Sequence, residues 1–154
     1  MEGIEQRLAK QPFVAGLPAN IIHSLAEAAK QIHLEAGKFA CHEGDPADAF
    51  YLIEEGRLAL QISSPGRGTA TFQTIGAHEV FGAAWLCPPY RWTYDARVIQ
   101  NVTAIAIDAV EVREKILTDH NLGYELAKRF LPVLIDRLHA ARLQLLDIYG
   151  RHAH

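Results

Sequence analysis

The sequence predicts a mainly β domain closed by helices at both ends, and three observations predict it. Between Cys41 and Gln61 the chain reads CHEGDPADAFYLIEEGRLALQ: a strand, a turn, a second strand, and a tight Glu-Glu-Gly-Arg turn into a third. From Gly37 to about Asp108, short apolar runs are punctuated by Gly56, Pro65-Gly66, Gly68 and Gly76, the texture of a compact β-roll. On both sides of that region apolar residues recur at helical spacing.

Pro18 opens a helix on which Ile21, Ile22, Leu25, Ala28, Ala29 and Ile32 share one face, suited to capping the roll. In the turn that follows Glu43, Gly44 tolerates positive φ, Pro46 presets φ, and Asp45 and Asp48 can bond nearby amides. Phe50, Leu52, Leu58, Leu60 and Ile62 fall on alternate positions, so one row faces a core while the other is mixed, and two strands are expected to meet across Gly56. Helices return near Val110 and run to about residue 149. Asp119 or Asn121 is placed to cap the last one, and Pro132 to kink or interrupt it. Along this helix Ala127, Leu131, Leu134, Leu138, Ala141, Leu145 and Ile148 alternate steps of four and three, a heptad seam. Such a face packs either on its own barrel or on a second copy. Phe130, Val133, Ile135 and Leu146 offer separate apolar surface for the barrel, which favours a parallel homodimer.

The Cys41–Gln61 run, with Gly37 before it and Phe81-Gly82 after it, resembles the cyclic nucleotide-binding domain family over roughly residues 13–145. The resemblance implies an eight-stranded antiparallel jelly roll and dimerisation through the C-terminal helix. In that family the segment matching Phe81–Val98, here FGAAWLCPPYRWTYDARV, holds a cyclic phosphate: a Glu accepts from the ribose hydroxyl and an Arg pairs with the phosphate. Aligned on Gly82 and the following strand, the Glu position is Ala83 and the Arg position is Trp92. Both charged contacts are absent, so cAMP in the usual pose is expected to bind weakly or not at all. Arg91, one residue earlier, is the alternative phosphate ligand, but strand parity then sends Trp92 and Asp95 to positions where relatives bury small or apolar groups. Arg97 is expected to point outward. The candidate pocket comprises Phe81, Gly82, Ala83, Ala84, Trp85, Arg91, Trp92 and Thr93. Trp85, Tyr90, Trp92 and Tyr94 surround Cys87-Pro88-Pro89; these rings either fill an emptied pocket or line one remodelled for a small nucleotide-like or aromatic ligand.

Composition sets outer limits. With 154 residues, 49% hydrophobic and 21% charged, the chain is sized for a single domain with a real core. A net charge of −3 with scattered Lys and Arg lacks a basic footprint, and no helix-turn-helix follows the last helix before His154, so nucleic acid is not an expected partner. No apolar stretch approaches the ~20 residues of a membrane span, and MEGIEQRLAK is too polar for a signal peptide; no membrane association and a cytoplasmic location are expected. Cys41 and Cys87, without Cys-x-x-Cys spacing, read as buried or half-buried thiols. His42, His78 and His120 are isolated, so no metal site is expected, and His78 stands where a turn conformation is tolerated. No catalytic constellation is visible, which reads as a non-enzyme. Two functional expectations remain: a small-ligand sensor that signals to a protein partner, or a dimeric scaffold or accessory subunit of a larger, for instance redox, complex. A void lined by Trp85 and Trp92 favours the first, and solidly packed rings the second.

Overall fold

The computed structural model describes residues 2–152, with side chains through Asp147. Helices α1 (Ile4–Ala9) and α2 (Ala19–Glu27) lead into strands β1 (Ala29–Leu34), β2 (Phe39–Cys41), β3 (Ala49–Ser64), β4 (Gly68–Ile75), β5 (Val80–Phe81) and β6 (Asp95–Asp108). A 3-10 segment at Ala83–Leu86 separates β5 from β6, and α3 (Ala109–Thr118) and α4 (His120–His152) close the chain. Every pairing is antiparallel, in the order β1-β6-β3-β4, with β2 added to β6 and β5 to β3.

The jelly roll expected from the resemblance is therefore present, but built from six strands rather than eight, because no turn forms at Gly56. The chain runs on through it as one 16-residue strand, β3. Gly56 has φ +97, and a Cβ there would lie 2.3 Å from the carbonyl oxygen of Asn101, so only glycine permits the close crossing of the two backbones. The β3–β6 register slips between Ile53 and Leu58, which bends both long strands at the same level. Counting each bent strand as two halves restores the eight expected.

Helix α2 also ends earlier than its periodicity predicts. Ile21 and Leu25 are buried as expected, but Ala29 and Ile32 belong to β1, where they pair with Ile107 and Ala104 of β6. The unsatisfied edge of β6 outweighs the local helical pattern there. The roll thus begins at residue 29, not near 37.

At the other end, the Asp108 carboxylate accepts from the amides of Val110 and Glu111 and starts α3, while Asp119 accepts from the amide of Leu122 and starts α4. Helix α4 continues unbroken through Pro132. Its Leu122, Leu126 and Phe130 are buried on the roll. Phe130 meets Phe13 and Phe50 edge-on at 4.8 and 5.3 Å, tying the N-terminal region and α4 to the start of β3. Ile135 and Leu146, expected to face the barrel, are instead exposed. The seam residues Leu131, Leu134, Leu138 and Leu145 are exposed as well, with Leu134 at 45% and Leu138 at 51%. The side chain of Ile148 lies outside the described residues. Among the described residues no helix is long and apolar enough to cross a membrane.

Candidate functional site

The segment after β5 is held in place from three directions. Gly82 turns it with φ +108, and the 3-10 segment packs Trp85 fully inward, stacked on Phe50 at 5.0 Å. The turn that dominates the sequence then clasps the outgoing half: the amides of Gly44 and Ala47 donate to the carbonyls of Trp92 and Tyr90, and the amide of Trp92 returns a bond to Asp45. From α3, Arg113 donates to the carbonyls of Trp85 (2.9 Å) and Ala47 (3.3 Å) and lies 4.4 Å from the Tyr90 ring centroid. Arg113 was missed at the sequence level, since a lone Arg on an amphipathic helix gives no signal of what it reaches.

The eight candidate pocket residues separate into two groups. Phe81, Gly82, Trp85 and Trp92 are buried. The Trp92 ring lies 5.9 Å from Phe81, 6.3 Å from Tyr51 and 5.9 Å from Tyr94, so it packs into a cluster of rings. Arg91 points out, donating to the Gly44 carbonyl at 2.7 Å, and is spent on the turn rather than on a pocket. Trp85 borders a cavity of about 590 Å³ with Tyr90 and Arg113, while Ala83, Ala84 and Thr93 line a separate cavity whose walls include neither tryptophan.

That cavity, of about 420 Å³, lies between the segment and α4. Cys87 and Tyr94 extend its inner wall, and Ile62 and Phe72 close one side. Its outer wall is α4: Leu134, Arg137, Leu138 and Ala141. Ile62, expected in the core row of β3, leaves the core to form this wall and is exposed. Tyr94 is half-buried, and desolvation of its hydroxyl pushes the pKa up to about 12 despite the opposing pull of the Arg137 charge. Cys41 is buried and pushed up to about 12 by desolvation. Cys87, by contrast with the expectation of burial, is exposed at the cavity rim. His78 adopts φ +71, the turn conformation expected of it. Among the described residues no group of His, Cys, Asp and Glu comes together that could hold a metal ion.

The structure is thus an antiparallel roll in which a turn-clasped segment faces a long C-terminal helix across a cavity. The profile of the cyclic nucleotide-binding domain matches residues 31–119, more than half of the chain, and the chain belongs to that family. It is 23% identical over 145 residues to the CRP-like cAMP-activated global transcriptional regulator of Mycobacterium tuberculosis, covering 94% of this chain but 63% of the regulator. A protein from Geobacter metallireducens GS-15, provisionally described as cyclic nucleotide-binding, superposes with a TM-score of 0.79 at 26% identity, over 90% of this chain and all of that one. A cyclic nucleotide-binding domain from Methylobacillus flagellatus KT shares the fold with a TM-score of 0.76 at 16% identity, over 94% of this chain and 82% of that one.

Proposed function

We propose that the chain is a non-catalytic ligand sensor whose effector cavity lies between the 82–94 segment and α4, and whose output is a change in a homodimer seam on α4 read by a protein partner. One observation carries this reading. Leu134, Leu138 and Ala141 are at once the outer wall of the cavity and members of the heptad seam, so a ligand that fills the cavity presses on the surface a second copy would cover. The volume of about 420 Å³ is within the range of small-molecule sites.

The regulator from M. tuberculosis is described as cAMP-activated. Here the positions matching the family's Glu and Arg are Ala83 and Trp92, and Trp92 is only 5% exposed, which supports loss of cAMP binding in the usual pose. The dense ring packing around Trp85 and Trp92 favours a second reading, an emptied sensor kept as a dimeric scaffold or accessory subunit.

The test is thermal unfolding against cAMP, cGMP, NADH, haem and aromatic acids, paired with the rate at which a thiol reagent modifies Cys87. A ligand at a hundred times its Kd adds ~2.7 kcal/mol, and a ligand in this cavity also slows Cys87 labelling. If no compound changes either readout, the scaffold reading replaces the sensor.

A further inference from the structure

We propose that Arg137 is the anion receptor of this cavity and that the ligand is a small hydrophobic carboxylate. The proposal deepens the sensor reading and rests on it.

Arg137 is only 9% exposed, yet no carboxylate of a described residue forms an ion pair with it. Its guanidinium donates to the Val80 carbonyl and, at a long 3.4 Å, to the Tyr94 hydroxyl, while its buried Nε has no partner. A guanidinium cannot shed its charge, so the fold carries a buried cation that no carboxylate touches, with Glu79 near enough only to feel its field.

Two cavities touch this side chain. The one of about 690 Å³ has Glu79 and Asp136 in its wall beside Lys128 and Arg129, so its charge is mixed. In the cavity of about 420 Å³ Arg137 is the only charged lining residue, which makes this the side that attracts an anion. The Tyr94 hydroxyl stays protonated up to about pH 12, so while accepting from Arg137 it keeps a proton to donate.

The charge count selects a monoanion. The planar guanidinium fork suits the two oxygens of a carboxylate, and Ile62, Phe72, Leu134 and Leu138 ask for an apolar body. A cyclic phosphodiester has the same charge, but it also brings ribose hydroxyls and purine edges. Against these the wall offers few polar side chains: Thr93, Tyr94 and Arg137, with the weakly bonding Cys87 thiol. The cation lies on α4 between Leu134 and Leu138, so a carboxylate drawn onto it engages the seam helix directly.

The experiment compares acid and amide pairs by calorimetry on the full chain: 2-naphthoate with 2-naphthamide, indole-3-acetate with indole-3-acetamide, and octanoate with octanamide, with cAMP alongside. At least one acid is expected to bind roughly ten- to a hundredfold more tightly than its amide, the discrimination of a charge-assisted hydrogen bond. Arg137→Gln should bring that ratio near one with the amide unaffected, and Arg137→Lys should keep part of it. Should Arg137→Gln fail to fold, Tyr94→Phe must lower acid affinity severalfold and leave the amide unchanged. Acid and amide binding equally well would overturn the anion receptor while leaving the cavity a ligand site. Tighter binding of cAMP than of any acid would overturn the ligand class. Failure of every compound to bind would remove this proposal together with the sensor reading.

Discussion

Replacing Gly82 with alanine should uncouple the 82–94 segment from the roll, and its size can be worked from the geometry. Gly82 has φ +108, where an L-residue costs roughly 1–2 kcal/mol. The added Cβ would stand 2.7 Å from Cη2 of Trp92 and 3.2 Å from the backbone Cα of Phe50. Trp92 has no easy retreat, because Phe81, Tyr51 and Tyr94 surround its ring. Overpacking of that kind adds about 1–3 kcal/mol. The sum, about 2–5 kcal/mol, is a fall in Tm on the order of 5–15 °C for a chain of this length. Thermal unfolding followed by circular dichroism measures it. Trp92→Phe removes the ring atom in question, so Gly82→Ala should cost less in that background by at least about 1 kcal/mol in a double-mutant cycle. Strict additivity, or a fall in Tm under about 3 °C for Gly82→Ala alone, would refute the claim that Trp92 braces the turn.

Other expectations follow from the same packing. Trp92→Arg with Ala83→Glu restores the family's charged pair but replaces a buried ring with an unpaired cation; Tm should drop by more than about 8 °C with no gain of cAMP binding, and a folded variant that binds cAMP would contradict the packing described. Leu131→Glu with Leu145→Glu places charges on the exposed seam, so sedimentation should show a dimer for the parent and a monomer for the variant at micromolar concentration; a monomeric parent would remove the dimer. The Tyr94 hydroxyl ionises near pH 12 in the folded chain and near 10 when unfolded, so the unfolded state loses this proton first. Stability from this group is complete below pH 10 and is lost as pH rises towards 12; Tyr94→Phe should flatten the fall in urea midpoint over that window, and an unchanged slope would count against the burial of the hydroxyl.

On the sensor reading proposed above, the effect of a ligand would pass through a short set of contacts. Arg113 of α3 is bonded to the Trp85 carbonyl, which ties the 82–94 segment to the first C-terminal helix. Arg137 of α4 is bonded to Val80 at the entrance of the same segment. On the sensor reading, a ligand between Ala84 and Leu138 would act on a segment whose leading end is bonded to α3 and, through Val80, to the helix that carries the seam.

Local chemistry was enough to determine the class of fold. The Gly44–Asp48 turn, the alternating row from Phe50 to Leu60 and the helical period of the last thirty or so residues each encode a backbone conformation in neighbouring side chains, and each is found where expected. The expectation that Ala83 and Trp92 stand at the family's charged positions likewise rests on residue identity alone. What the sequence left open depended on partners distant along the chain. Gly56 looks like a turn until Asn101 is seen 2.3 Å from its missing Cβ; Ala29 and Ile32 look helical until β6 offers an unpaired edge. The site was the least legible part, since a pocket is a negative space bounded by residues that share no local pattern. The tryptophans expected to line it are buried and take no part in its walls, and Arg137, which does line it, reads in sequence as one polar position on an amphipathic helix. Only tertiary packing, by burying that cation with no carboxylate in contact beside an apolar cavity, supports the proposed place for a ligand's charge.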